Sequence, residues 1–170
     1  NAITFANQSI VGAQGYSSFV NTNNTIYVAN GENSTILVWD EGSTQPTRII
    51  TDNFTRTDSL FVTSNGDIYI DDGDQNGRVQ KWIADNNTFA TVMDVKSSCS
   101  GLFVDKNDTL YCSMWYHHEV VKRSMSDSTM TSTDVAAGTG SSGSASNELA
   151  NPRGIFVDVN FDLYVADCGN

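Results

Sequence analysis

Basic residues are scarce in this chain. Nine Lys and Arg stand against twenty Asp and Glu, a formal net charge of −11, and apart from Lys122-Arg123 the cations are scattered singly. Such a surface cannot neutralise a row of phosphates, which excludes nucleic acid as a partner. Long apolar runs are missing too, since none approaches the ~20 residues a helix needs to cross a bilayer, and no membrane insertion is expected in this segment. No charged-then-apolar leader opens the chain either, although it begins inside a repeating pattern at Asn1, which leaves room for a signal sequence upstream. Histidine is confined to His117 and His118. Cysteine is limited to Cys99, Cys112 and Cys168, an odd count that in a secreted chain points to a partner elsewhere. Cys99 and Cys112 flank one hairpin, and either bridge or remain two buried thiols. If Asn107-Asp108 is the tight turn, Cys112 lies opposite Phe103 rather than Cys99, and a bridge requires the chain to bend back around Ser100-Gly101.

What the chain has in quantity is a repeated unit. Its 170 residues are 39% hydrophobic and 17% charged, rich enough in Val, Ile, Phe and Tyr to bury a core. The pair Phe-Val recurs at Phe19-Val20, Phe61-Val62, Phe103-Val104 and Phe156-Val157, in steps of 42, 42 and 53 residues. Tyr27, Tyr69, Tyr111 and Tyr164 each lie eight residues beyond their Phe, and the segment AAGTGSSGSASNELANP accounts for the longer last step. A period in the forties built from short strands marks a propeller blade rather than a helical solenoid. The expected fold is all-β: an incomplete β-propeller of four-stranded antiparallel blades.

The expected division is the end of a preceding blade at 1–14, blades at 15–56, 57–98 and 99–151, the last with a Gly/Ser-rich insert, and the first half of a blade at 152–170. In the first unit the strands fall at Ser18 to Val20, Thr25 to Ala29, Ser34 to Trp39 and Thr47 to Ile50. Ile3 to Phe5 reads as a short strand, and a weaker fourth strand of the third unit is expected near Met130 to Val135. Asn65-Gly66 predicts a type I′ turn, which needs positive φ at both central residues. Leu60-Phe61-Val62 and Ile155-Phe156-Val157 are apolar throughout, so the inner strands need cover on both faces while the outer strands are more exposed.

The pattern Pro-x-Gly-Ile-x-Val-Asp, then Leu-Tyr-Val-Ala-Asp, then Asn-x-Arg-Val resembles the NHL repeat. Pro152, Gly154, Ile155, Val157, Asp158, Leu163, Tyr164, Val165, Asp167 and Asn170 carry the first part, and Asn76, Arg78 and Val79 the second. The first unit keeps Asn33 and Ile36 without the Arg, and the third has His118 and Val120 in those places. The Tyr-Trp-Thr-Asp propeller of LDL-receptor type has a similar period, but its signature is absent. The resemblance implies a ring most often of six blades, of which this chain is part, because closing six at this period takes roughly 250 residues. It also implies the functions such rings carry: ligand binding, RNA binding in some intracellular members, or a lyase or lactonase reaction at a metal in the central channel, where a histidine is the first residue to seek.

Several motifs carry candidate chemistry. Asp72-x-Asp74-x-Asn76-Gly77 matches the first half of a calcium loop, but Ile83 stands where an EF-hand requires a bidentate Glu, so a turn between strands is the better reading. Gly138-x-Gly140-x-x-Gly143 matches the dinucleotide fingerprint, yet a β-hairpin rather than a helix follows it, and a flexible connection between blades is expected. Adjacent histidines in a loop usually point apart, so His117 and His118 do not chelate together without help. Asp105 and Asp158 end equivalent strands, a repeat role such as bonding a hairpin turn. No triad, no metal set and no cofactor site is found, and a binding role is favoured over an enzymatic one. The candidate contact residues are Trp115, Tyr116, His117, His118, Asp72 and Asp74, in the variable loops NGENS, DDGDQNG and MWYHHE. The expected partner is a protein or glycan, and Asn7, Asn23, Asn33, Asn53, Asn86 and Asn107 head Asn-x-Ser/Thr sequons that support an extracellular, glycosylated chain.

Overall fold

The computed structural model describes residues 5–12, 15–52, 54–126 and 133–170. Three four-stranded antiparallel sheets follow one another as simple meanders, and a two-stranded sheet follows them. The first contains β1 (Gly15–Val20), β2 (Ile26–Asn30), β3 (Thr35–Trp39) and β4 (Arg48–Thr51). The second contains β5 (Leu60–Val62), β6 (Ile68–Asp71), β7 (Arg78–Ile83) and β8 (Thr88–Asp94). The third contains β9 (Gly101–Val104), β10 (Thr109–Met114), β11 (Glu119–Ser124) and β12 (Asp134–Gly138); β13 (Pro152–Val157) and β14 (Leu163–Asp167) complete the set. One helical turn, α1 (Gln8–Val11), precedes β1, capped by the Asn7 side chain on the Ser9 N–H. Residues 1–4 lie outside the described part, and Phe5 is not in a strand. The fourth strand of the third sheet, Asp134–Gly138, runs into the supposed insert, and residues 130–132 of its expected span lie outside the described part.

The eight-residue interval from Phe to Tyr is a cross-strand pair. Phe19 faces Tyr27, Phe61 faces Tyr69, Phe103 faces Tyr111 and Phe156 faces Tyr164. Five residues separate the last cross-strand pair of each of these hairpins, and the fourth of them is left-handed: Asn24, Gly66, Asp108 and Phe161. In three turns one side-chain oxygen ties the loop together. Asn21 accepts from the N–H groups of Asn23 and Thr25, Asp105 from those of Asn107 and Thr109, and Asp158 from those of Asn160 and Asp162, all at 2.8 to 3.0 Å. These Asx turns give Asp105 and Asp158 the hairpin role expected of them. They also correct two expectations. Only Gly66 of Asn65-Gly66 has positive φ, so the loop is a type I turn closed by a left-handed residue rather than type I′. The odd loop length puts Cys112 opposite Leu102, not Phe103.

The second and third sheets bury both faces, because consecutive sheets pack face to face, while the last leaves Phe156 and Tyr164 exposed. One apolar cluster joins Tyr27, Ala29, Ile36 and Val38 to Leu60, Val62, Ile68 and Ile70 of the next sheet. A second joins Tyr69, Val79 and Met93 to Leu102, Leu110 and Cys112, and a third joins Tyr111 and Val120 to Val157. The outer strands β4, β8 and β12 are mostly exposed, while β6 is buried throughout. Along the inner strands the phenylalanines stack edge to face, with centroids 5.5 Å apart for Phe19–Phe61, 5.2 Å for Phe61–Phe103 and 5.3 Å for Phe103–Phe156. Each such pair adds about 0.5–1.5 kcal/mol beyond its burial.

Gly101 shows how closely the inner strands approach. A Cβ there would lie 2.5 Å from the Arg153 carbonyl oxygen of the next sheet, whereas one at the equivalent Gly154 would meet nothing within 4 Å. Gly101→Ala is therefore expected to destabilise the chain by about 1–3 kcal/mol, as overpacking does, and Gly154→Ala to leave it unchanged. Urea denaturation of the two variants checks this, and equal midpoints would refute it.

Candidate functional site

The strands β1, β5, β9 and β13 all start at the same end of the stacked sheets, and the β2–β3, β6–β7 and β10–β11 loops turn at that end too. A cavity of about 290 Å3 opens there, lined by Tyr16, Arg56, Asp58, Ser98, Ser100, Trp115, Tyr116 and Arg153. Tyr16, Asp58, Ser100 and Arg153 occupy one position of the repeat, each three residues before its inner-strand Phe. The four sheets thus each offer one side chain to the same space, and the four are chemically unlike.

Two guanidiniums in the cavity lie on aromatic rings. Arg56 sits 4.6 Å from the centroid of Tyr16, and Arg153 sits 4.0 Å from that of Trp115. Arg56 also donates its Nε to Asp58 at 3.2 Å, and Ser98 Oγ donates to the same carboxylate at 3.1 Å. Behind the cavity, Asp71 is wholly buried and accepts the N–H groups of Cys99 at 2.8 Å and Asp58 at 3.2 Å. Burial pushes its carboxyl well above the ordinary carboxylate range; the two N–H donors pull it down, and the Asp58 charge pushes it up further.

The candidate loop MWYHHE reaches this cavity. Trp115–His117 form a single 3-10 turn ended by His118 in the left-handed conformation, and Tyr116 is 69% exposed. The two histidines do not converge. His118 Nδ1 accepts the Asn151 N–H at 3.1 Å, and Asn151 Nδ2 donates to the Trp115 carbonyl at 3.2 Å, so the loop is tied to the approach to β13. Among the described residues no three His, Cys, Asp or Glu side chains gather as a metal site.

Asp72, expected on an exposed contact loop, is buried instead. It accepts from the Thr55 N–H at 2.9 Å, Asn76 Nδ2 at 3.1 Å, Arg78 Nε at 2.5 Å and Gln80 Nε2 at 2.9 Å. Asp167 does the same work in the last sheet, accepting the Ala150 N–H at 2.6 Å and Asn170 Nδ2 at 2.5 Å. In these two sheets the repeated Asp and Asn therefore clamp the incoming segment. The helical turn α2 (Gly73–Asn76), ended by left-handed Gly77, carries the expected turn of the calcium-like sequence; the Asp74 side chain lies outside the described residues. In the third sheet Met114 replaces that Asp, and the incoming segment is tied by a disulfide between Cys99 and Cys112, whose Cα atoms are 5.2 Å apart. The bridge forms because the chain ahead of β9 stays alongside β10, with the Ser100 N–H donating to the Ser113 carbonyl. Cys168 is free and exposed.

The glycine-rich segment is ordered by its own bonds rather than a loose connection. Gly138 closes β12 against Glu119, the Gly143 N–H donates to the Leu149 carbonyl, and Asn170 Nδ2 donates to the Gly143 carbonyl at 2.9 Å. No helix among the described residues is long and apolar enough to cross a membrane.

No family model matches the chain, and no curated protein matches it. Solved structures do. A streptogramin B lyase superposes with a TM-score of 0.66 at 14% identity over 90% of this chain and 48% of its own. A chain of the nidogen/laminin complex gives 0.67 at 17% identity over 84% of this chain and 51% of its own. The extracellular domain of a one-component system from B. thetaiotaomicron gives 0.64 at 14% identity over 92% of this chain and 20% of its own. At these identities the likeness is one of fold, and with the sheet topology it makes this chain an incomplete β-propeller. It spans about half the length of the lyase and of the laminin-complex chain.

Proposed function

We propose that the chain is part of an extracellular binding module built on an NHL-type propeller, with the ligand held at the end of the axis where Trp115 and Tyr116 lie. The observation that carries this reading is the cavity to which all four sheets contribute, walled by an aromatic loop whose Tyr116 is largely exposed. Rigid aromatic and Arg side chains around a concavity are what binding hot spots are made of. The NHL assignment is supported by the shared clamps of Asp72 with Asn76 and Asp167 with Asn170. In this reading the blades divide at 15–56, 57–98, 99–151 and 152–170, with 1–14 ending a preceding blade, in a six-bladed ring.

An oxidising compartment is supported by the Cys99–Cys112 bridge. The sequons suit it. Asn23, Asn86 and Asn107 are exposed in turns at the end of the sheets opposite the cavity, so glycans there leave the cavity clear. Asn7 and Asn33 are exposed as well, and Asn53 lies outside the described residues. The partner is a protein or a glycan; the laminin-complex neighbour is an example of a propeller in a protein assembly.

The test is a panel of extracellular matrix proteins and glycans presented to the immobilised protein. Replacing Trp115 and Tyr116 together with Ala is expected to weaken whatever binds by at least about tenfold, with circular dichroism and the urea midpoint unchanged. Undiminished binding by the folded double variant would refute the assignment of this face.

A further inference from the structure

We propose that the cavity is an oxyanion clamp for a small acidic sugar, with Arg56 and Arg153 gripping its carboxylate or sulfate. The proposal rests on the reading of this end as the ligand face and adds the class of ligand.

The charge balance comes first. The chain has five arginines and a net charge of −11, yet two of those arginines line one cavity and face a single carboxylate, Asp58. Arg56 engages Asp58 only through Nε. Among the described residues no carboxylate pairs with Arg153, whose guanidinium lies on the Trp115 ring. A ring beneath a guanidinium covers its face but leaves its in-plane N–H donors open, and it fixes the plane in advance. Two forks fixed in this way, on side chains from the second and fourth sheets that line one cavity, suit a group with two or three oxygens and a negative charge. Carboxylate and sulfate share that chemistry.

The rest of the lining describes the body of the ligand. Asp58, Ser98, Ser100 and Tyr116 line the same space with polar side chains. Several hydroxyls would complement the bonding capacity this lining keeps beyond the Arg56–Asp58 and Ser98–Asp58 bonds, which an apolar body would not. At about 290 Å3 the cavity has room for a sugar ring. The repeat position that supplies Tyr16, Asp58, Ser100 and Arg153 supports the same conclusion. Three residues further on, the same units all carry Phe, so the fold fixes the Phe and leaves this position free to diverge in chemistry.

The experiment is an NMR titration of the protein with glucuronate, with 6-O-sulfated N-acetylglucosamine, and with glucose. The Trp115 indole resonance is followed in the wild type and in Arg153→Met, Arg153→Lys, Tyr116→Ala and Arg48→Met variants, the last being remote on β4. At least one acid is expected to bind about tenfold or more tighter than glucose, and the tighter acid identifies the oxyanion. Arg153→Met should weaken it at least about tenfold, the worth of a charge-assisted hydrogen bond. Arg153→Lys should restore only part, because a point charge lacks the fork, and Arg48→Met should change nothing. Raising the salt from about 50 to about 500 mM should weaken the acid and not glucose. Glucose binding as tightly as both acids overturns the clamp, and if that binding is lost in Tyr116→Ala the ligand face itself survives. Acids that bind equally well to wild type, Arg153→Met and Tyr116→Ala overturn both. No shift with any of the three sugars overturns the sugar class, and the panel test with Trp115 and Tyr116 then decides the face alone.

Discussion

Asp72→Ala is expected to cost about 3 kcal/mol, a large share of the stability of a domain this size. The carboxylate is completely buried and collects four donors: the Thr55 backbone N–H, Asn76, Arg78 and Gln80. Alanine removes every acceptor at once. Gln80 is itself buried and keeps a desolvated amide with nothing to bond, a loss of about 1–3 kcal/mol for one such group. Arg78 keeps a third of its side chain in water, which holds the total near the lower end of what a broken buried pair costs. Asp72→Asn retains one oxygen but turns an acceptor into a donor facing other donors, so it should recover only part. Urea denaturation with an unchanged m-value is the measure. A shift below about 1 kcal/mol for the alanine would mean that the clamp is not what joins the segment at Thr55 to its sheet.

Breaking the Cys99–Cys112 bridge is the second large effect. Both half-cystines are fully buried, and the loop they close spans 13 residues. Opening a loop of that length frees the unfolded chain by about 3 kcal/mol, a fall in melting temperature of about 6–12 °C for a chain of this size. The native state loses something as well, since the Cys99 N–H is a donor to the buried Asp71. Hydrogen exchange should quicken first in β9 and β10. Cys112→Ala, or reduction under non-denaturing conditions, makes the test, and Cys168→Ser is the control with no change expected. A melting curve that is the same with and without reductant would dismiss the bridge as a stabilising element.

The repeat was legible because it is written in large side chains at fixed intervals. Phe and Tyr eight residues apart are cross-strand partners, and an interval of that kind survives changes in the residues between them. Turn chemistry was only half legible. Asn65-Gly66 suggests type I′, but a five-residue loop needs one left-handed position, which Asn24, Gly66, Asp108 and even Phe161 supply. Tertiary geometry overrides the dipeptide. That same loop length decides which residue Cys112 faces, so the register error and the turn error are one error.

The site was harder to read for a different reason. Trp115 and Tyr116 stand out as aromatics in a polar loop, and they do reach the cavity. Asp72 and Asp74 stood out for a calcium-like spacing, but Asp72 is enclosed because Arg78 and Gln80 on β7 fold over it, which no local spacing reveals. Arg56, Asp58 and Arg153 form no local motif, Arg56 and Asp58 lying in a polar run ahead of β5 and Arg153 near the start of β13. The available signal was the comparison of units with each other: three residues before each Phe, one finds Tyr16, Asp58, Ser100 and Arg153, where the next position holds only the small Ser17, Ser59, Gly101 and Gly154. In a repeat protein, a position that differs among copies is a better pointer to function than one that agrees.

The phenylalanine stack makes neighbouring sheets thermodynamic dependants. Phe61 and Phe103 each touch a ring on both sides, so truncating either one weakens two junctions, whereas Phe19 and Phe156 each hold one such junction. Stability among these sheets then accrues in order, junction by junction, as in a one-dimensional lattice with nearest-neighbour coupling. A cavity assembled from one side chain per sheet inherits that order. It holds its shape only while every junction beneath it is closed.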